Sequence, residues 1–418
     1  MTAAEKQLGN RLVVLLLTAV SGCLMLFAPG SPVAGFVNVG IAGVLLFYPP
    51  AFLPLILVSS LSSSITAFSG LAALFFYLLM FLLSMLIRGR WKLELRWNRS
   101  MTMMALFSLW ILVSTILSPY GEAYSAVRQL ILVVLIVLCT WGCHLKYGEC
   151  EDAMILVGAV VSTACVVKLI LFPERYTIVG TYVLREALSL SKDLNPNQIA
   201  AVFSVMFVFF FISLLRGKKL AVAPLLMSFA VLVLLKSRTA FFSALIVCGL
   251  YFLLRYRTSL KNKLLICGVL LVLLGGTMAL SGRGSAVESE KNLSVSSIVE
   301  DSGSGRFLTW AEAFTLIIPS NPITGIGFGS ESFKNMGYDF DADNMYVDLL
   351  SETGIVGFAL FFAFFIMLAV RVARKRTAAG TMVLYLLLLQ LFLGIGETVF
   401  DSQLFWCVVL LCLFPYDD

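Results

Sequence analysis

SGSGRFLTWAEAFTLIIPSNPITGIGFGSESFKNMGYDFDADNMYVDLLSETGIVG, residues 302–357, is polar and glycine-rich, carries Arg306, Asp339, Asp341 and Asp343, and turns apolar only after Asn344. It interrupts a chain that is otherwise close to continuous hydrophobic helix. The flanking apolar runs are about 17–20 residues long and free of charge, the length an α-helix needs to cross about 30 Å of hydrocarbon. They do not alternate polar and apolar residues as barrel strands would. Of 418 residues, 60% are hydrophobic and 13% charged, against roughly 25% charged in soluble domains. The chain therefore reads as an all-α, polytopic integral membrane protein: a single membrane domain over residues 1–418 with a large outer loop before its late helices.

About fourteen spans (twelve to fourteen) follow from the apolar runs, at 12–28, 33–48, 51–68, 71–87, 101–118, 125–143, 152–172, 199–215, 220–236, 239–254, 264–280, 344–370, 378–396 and 403–416. The run from Leu12 to Ala28 lacks a clear small-x-small cleavage pattern and reads as a retained first helix. Four basic connections, RGRWKLELRWNR (88–99), RGKK (216–219), RYRTSLKNK (255–263) and RVARKR (371–376), fall on one side in this count. The positive-inside rule makes that side cytoplasmic, and both termini lie there too. The two long connections, 173–198 and 281–343, then share the outer face.

The formal charge of +6 is thus topological and does not point to nucleic acid. Nine cysteines lie mostly inside apolar runs, where they behave as small hydrophobes. With no CxxC pair and a single histidine, His144, neither a disulfide framework nor a metal site is expected, and no cofactor.

Five arginines break the positive-inside trend. Arg128, Arg175, Arg185, Arg238 and Arg306 all map to the outer side or just beneath it. Arginine forks suit phosphate oxygens, and a cluster at one level suggests an anionic ligand such as a lipid pyrophosphate; the alternative is snorkelling or pairing with loop acids. Arg238 sits in LLKSRTA (234–240), between two spans with almost no loop. In the first outer loop Pro196 pushes Asn195 out of helical conformation, and Asn197 is placed to cap the next helix. In the second, Phe307, Trp310, Phe314 and Ile317 recur at helical spacing, predicting an amphipathic helix near 306–318 in the membrane interface, with Trp310 as anchor and Asn321-Pro322 as its end. The following Gly325-Ile326-Gly327-Phe328-Gly329 turn lets backbone approach something closely. Asn344, Asp348 and Glu352 then form one stripe on the next span, with Tyr346 beside it. Acids entering the bilayer on a stripe face a cavity or the protein interior and can act as a base; the structural alternative is Asp343 as an N-cap and Asp348 in an ion pair. Glu397 and Asp401 add two more outer acids.

These elements in this order, an Arg-bearing loop ending in NPNQ, SRTA at a hairpin, SGR followed by Trp, NPITGIGFG, and DNMYVDLLSETGIVG running into a span, resemble the bacterial O-antigen polymerase and O-antigen ligase superfamily over roughly residues 173–360. The resemblance implies a glycosyltransferase that moves glycan from an undecaprenyl-pyrophosphate carrier at the periplasmic face of the inner membrane. It maps the essential arginines to Arg238 and Arg306. Its partners would be lipid-linked donor and acceptor, membrane lipid and a chain-length regulator protein. The ligase branch carries a histidine next to asparagine where this chain has Asp343-Asn344, which favours the polymerase. In that reading the arginines, with Arg128, Arg175 and Arg185, bind the pyrophosphate in place of a metal. Asp343 first, then Asp348, takes the proton from the attacking hydroxyl. A ligase acting on lipid A core, or a flippase for lipid-linked oligosaccharide, is the alternative; a transporter would be expected to show internal repeats, and none is evident.

Overall fold

The computed structural model describes residues 3–27, 48–59, 71–87, 97–140, 145–172, 174–179, 184–189, 195–255, 306–329, 331–338, 342–400, 402–414 and 416–417, with Gly40 and Gly43. Most of the expected span at 33–48, all of that at 264–280, the loop from 281 to 305, and Asp339, Asp341 and Asp401 lie outside the described residues.

Helices form where the apolar runs are: α1 (Ala3–Phe27), α2 (Phe52–Ser59), α3 (Leu71–Ile87), α4 (Arg99–Leu117), α5 (Ala123–Thr140), α6 (Tyr147–Leu171), α7 (Pro196–Leu215), α8 (Val222–Leu235), α9 (Arg238–Arg255), α10 (Arg306–Glu312), α11 (Met345–Arg374), α12 (Ala378–Leu393) and α13 (Gln403–Leu413). Among the described residues six, α4, α5, α6, α7, α9 and α11, are long and apolar enough to cross a membrane. The chain is a multi-pass membrane protein. Its helix starts are set by side-chain caps that satisfy the free N–H groups of a first turn. Asn98 accepts from Met101 N, Thr377 from Gly380 N and Ser402 from Phe405 N. At α7 the cap is Asn195, not Asn197: Asn195 Oδ1 accepts from Asn197 N at 2.9 Å, with Pro196 at the first helical position. Proline belongs there because its missing N–H is not needed in a first turn.

Between α6 and α7 the chain departs from the all-helical expectation with an antiparallel hairpin, β1 (Glu174–Val179) and β2 (Leu184–Ser189). Arg175 stands opposite Leu188 and Arg185 opposite Ile178, at ladder positions of opposite parity.

Contacts group the chain into two units, residues 1–77 with 146–304, and residues 78–145 with 305–418. In the first, α6 and α7 approach closely at Gly158, where an added Cβ would fall 2.3 Å from the ring of Phe210. Ser162 and Ser228 hydrogen-bond across α6 and α8 at 3.1 Å. At the end that carries the basic 216–219 connection, Glu151 is buried and accepts from Ser213 Oγ at 2.7 Å and from Arg216 Nη1 at 3.2 Å. Arg216 also donates to the Tyr147 hydroxyl at 2.9 Å and lies over its ring. Arg216 reaches solvent, so its charge survives the loss of Glu151, but the buried Ser213 hydroxyl loses its acceptor. Glu151→Ala is therefore expected to cost about 1–3 kcal/mol, read as a lower thermal unfolding midpoint in detergent, with Glu151→Gln less damaging because it keeps an acceptor for Ser213.

In the second unit α4 packs along α11 around an aromatic hub. Phe361 is fully buried, with ring centroids 5.4 Å from Phe107, 5.8 Å from Phe405 and 6.3 Å from Phe400. Phe400 in turn lies 5.4 Å from Phe328 of the glycine-rich turn. This apolar floor sits beneath the polar residues described next.

Candidate active site

All the groups of this site belong to the second unit. Its frame is the start of α11. Asn344 is the N-cap: its Oδ1 accepts from Tyr346 N at 2.9 Å and Val347 N at 3.2 Å, and its Nδ2 donates to Ile395 O at 3.1 Å. The cap is thus Asn344 and not Asp343, which precedes it with φ +49°. Aspartate is one of the few side chains that tolerate that left-handed conformation. The Tyr346 hydroxyl donates to Leu391 O at 2.7 Å. Both Asn344 and Tyr346, candidates from the sequence, thus tie α11 to the end of α12.

Two turns further on, α11 is broken. Gly354 has φ +65° and ψ −175° inside the helix, a conformation essentially confined to glycine. The break frees backbone groups that no lipid could satisfy, and the Asn321–Gly329 turn takes them up. Ile326 N donates to Ser351 O at 2.9 Å, Gly327 N to Glu352 O at 3.0 Å, and Ile355 N to Pro322 O at 2.9 Å. From α4, Trp110 Nε1 donates to Thr353 O at 2.8 Å and Ser114 Oγ to Glu352 O at 3.1 Å. The two backbones lie so close that a Cβ on Gly325 would fall 2.4 Å from Glu352 C and O, and one on Gly354 2.2 Å from Ile323 O. What the glycine-rich turn approaches is therefore the break in α11.

The far side of the same turn rests on the α4–α5 connection. Ser118 Oγ donates to Ile326 O, Phe328 N to Thr115 Oγ1 at 3.2 Å, and Glu122 N to Phe328 O at 2.9 Å. Glu122 Oε1 also accepts from Glu331 N at 2.7 Å. None of Ser114, Ser118 or Glu122 stood out in the sequence, where each is an ordinary polar residue at the end of a span.

α10 begins at Arg306 and continues as a π-helical segment (Ala313–Ile317) to Ser320, close to the expected 306–318. Trp310 Nε1 donates to Ala342 O at 2.8 Å, and its half-buried ring packs against the cluster of Ala313, Ile317, Ile326, Phe333 and Val347. Holding position 342, Trp310 brings Arg306 to its neighbour Asp343. Arg306 Nη2 donates to Asp343 Oδ2 at 3.3 Å and to Glu397 Oε1 at 3.4 Å, and Nε to the same Asp343 oxygen at 3.4 Å. These distances are at the long end for charge-assisted bonds. Nη1 makes no hydrogen bond to a described residue. The Arg306 side chain is 19% exposed, Glu397 10% and Asp343 50%. The trio carries one net negative charge, so an anion can take Arg306 only where a carboxylate gives way. Asp343, the solvated one, gives way at least cost.

Asp348, Asn344 and Glu352 form the expected buried stripe. Asp348 is 2% exposed and accepts a hydrogen bond from Thr398 Oγ1. The structure thus gathers Arg306, Asp343 and Glu397 in one ion-paired cluster, with Asp348 held beside it by the residue after Glu397. Arg128 lies on α5 over the Tyr124 ring, 5.8 Å from its centroid. Arg238 opens α9 in the first unit, to which Arg175 and Arg185 of the β1–β2 hairpin also belong. Thr398 was missed by sequence reasoning; the only signal was a short polar run, Gly396 to Asp401, in an otherwise apolar hairpin.

Residues 223–362, about a third of the chain, match the family described as O-antigen ligase. The match includes Arg238, Arg306, Asp343, Asp348 and both halves of the backbone contact at Gly325 and Gly354, and it ends before Glu397. No curated protein matches the chain. The match supports the O-antigen ligase/polymerase superfamily, a group of glycosyl-transferring membrane enzymes.

Proposed function

We propose that this O-antigen ligase-type membrane enzyme is the polymerase of its superfamily: it joins undecaprenyl-pyrophosphate-linked oligosaccharide repeat units at the periplasmic face of the inner membrane. The observation that carries the reading is the position of Arg306, held loosely between a solvated and a buried carboxylate with Nη1 free of described partners. Such a guanidinium is poised to exchange one acid for a phosphate oxygen. The donor's pyrophosphate displaces Asp343 from Arg306, while Glu397 keeps the guanidinium in place. Asp343, released from Arg306 when the donor is bound, is left to take the proton of the attacking hydroxyl.

The transfer then balances as follows. The hydroxyl oxygen of the acceptor repeat attacks the anomeric carbon of the donor's first sugar, and the bond from that carbon to the pyrophosphate oxygen breaks. Undecaprenyl pyrophosphate leaves with the bonding electrons, its growing charge met by Arg306. The hydroxyl proton passes to Asp343. Asp348, buried and fixed, supplies negative potential next to a sugar that becomes oxocarbenium-like. Arginine does here what a metal ion does for many pyrophosphates. Arg238 in the first unit is the other arginine proposed to bind donor phosphate.

The ligase reading has the family match behind it. Against it, the chain's single histidine, His144, does not adjoin Asn344, where the resemblance places the ligase histidine. The deciding experiment supplies purified protein in liposomes with undecaprenyl-pyrophosphate-linked repeats alone, and then with lipid A core added. A ladder of lipid-linked chains without lipid A core is the expected result. Transfer of single repeats to lipid A core, with no ladder in either case, overturns the polymerase in favour of the ligase. Movement of repeats across the bilayer without any new glycosidic bond would make it a flippase.

A further inference from the structure

The connection between α12 and α13 lies outside the residues that match the family, yet it touches Arg306, Asp348 and the first turn of α11. Its backbone accepts from the first turn of α11: Met345 N donates to Gly394 O at 2.9 Å and Asn344 Nδ2 to Ile395 O at 3.1 Å. Its buried Val399 and Phe400 seat it on the aromatic floor. Between these two anchorages stand Glu397, which binds Arg306, and Thr398, whose hydroxyl donates to Asp348 Oδ2. Two adjacent residues thus hold a cation and a buried anion. Because consecutive Cα atoms are fixed at about 3.8 Å, the distance between the two holders cannot drift.

We propose that Thr398 is a positioning residue of the transfer reaction, acting through Asp348. A carboxylate on a helix can rotate about χ1 and χ2; a hydroxyl bound to one oxygen stops that rotation and aims the other. With Glu397 beside it, Thr398 sets where the negative charge of Asp348 stands relative to the positive charge of Arg306. Both charges act on the same bond, one on the sugar side and one on the phosphate side, so their separation matters most at the transition state. The hydroxyl's effect therefore belongs to kcat and not to donor binding. The inference rests on the glycosyl transfer proposed above.

The test compares Thr398→Val, which keeps the shape and loses the donor, with Thr398→Ser, which keeps the donor. Each is assayed in liposomes with lipid-linked repeats, alongside Asp348→Asn and the Thr398→Val/Asp348→Asn double variant. Thr398→Val is expected to lower kcat about 10- to 30-fold with KM for the donor within about twofold, the pattern of an interaction made only in the transition state. Thr398→Ser should recover kcat to within about threefold of wild type. The double variant should be no slower than Asp348→Asn, since a residue acting through another adds nothing once that one is altered. Wild-type kcat in Thr398→Val, a Thr398→Ser as slow as Thr398→Val, or a double variant slowed by the full extra factor each overturns the positioning role while leaving the polymerase intact. A wild-type protein that forms no glycosidic bond removes both. If it proves to transfer to lipid A core instead, the same four-way comparison in that assay decides the role of Thr398 alone.

Discussion

Arg306→Ala will leave cells with surface glycan of single repeat units, and purified protein with at least about 100-fold less chain extension, the usual loss when one preorganised donor to developing charge is removed. Two effects act in the same direction. The leaving pyrophosphate loses its guanidinium. The oxygens of Asp343 and Glu397, both within 3.4 Å of the same Nη2, also lose the cation between them. Like charges so placed repel, and the two carboxylates are driven apart. The base proposed for the reaction is thereby spoiled along with the electrophile.

Arg306→Lys separates these effects. Lysine restores a positive charge between the carboxylates, so the cluster and the folded yield are expected to survive. It cannot hold Glu397 and a phosphate oxygen at once through a planar fork, so activity is expected to stay about 10-fold or more below wild type. Full-length glycan in the Arg306→Ala strain would end the assignment of Arg306 to the reaction. Full activity in Arg306→Lys would reduce its role to that of a point charge.

Which parts of this arrangement were legible beforehand follows from where their signals reside. The span helices are written in uninterrupted apolar length, so α4 to α9 and α11 to α13 lie within a few residues of the runs that foretold them. The β1–β2 hairpin left a weaker trace, Tyr176, Ile178 and Val179 before Gly180 and Tyr182 and Val183 after it, easily passed over between two spans. Arg306, Asp343 and Asp348 were legible because charge at a membrane boundary is costly and stands out. Thr398 was not, since a threonine at a boundary costs little, and its importance comes wholly from the acid it meets. Trp310 carried an amphipathic signal, but nothing in the sequence marked that its ring also packs on the loop's own core. The glycine-rich turn was legible as a close approach and illegible as to its partner, because a backbone-to-backbone contact involves no side chain that could mark the other half.

That contact predicts the largest loss of stability. Gly354→Ala puts a Cβ 2.2 Å from a backbone oxygen and forces a side chain into a conformation that costs about 1–3 kcal/mol by itself. A backbone atom cannot rotate away, so the turn must lift from α11, and the bonds Ile326 N to Ser351 O, Gly327 N to Glu352 O and Ile355 N to Pro322 O are lost. At about 1 kcal/mol or more for each buried group left unmet, the total reaches several kcal/mol, enough to remove most folded protein. Gly325→Ala meets the same contact from the other side, 2.4 Å from Glu352, and is expected to cost a similar amount. Gly249→Ala is the control: a Cβ there has nothing within 4 Å, and alanine is the better helix former, so stability should hold or rise slightly. The double variant is the sharper measurement. If the two glycines serve one contact, the first substitution already opens it and the second adds only its own strain, so the combined loss falls well short of the sum. Losses that add in full would mean that the turn and the break in α11 are held independently, and Arg306 and Asp343 would then owe their meeting to the Trp310 bond alone.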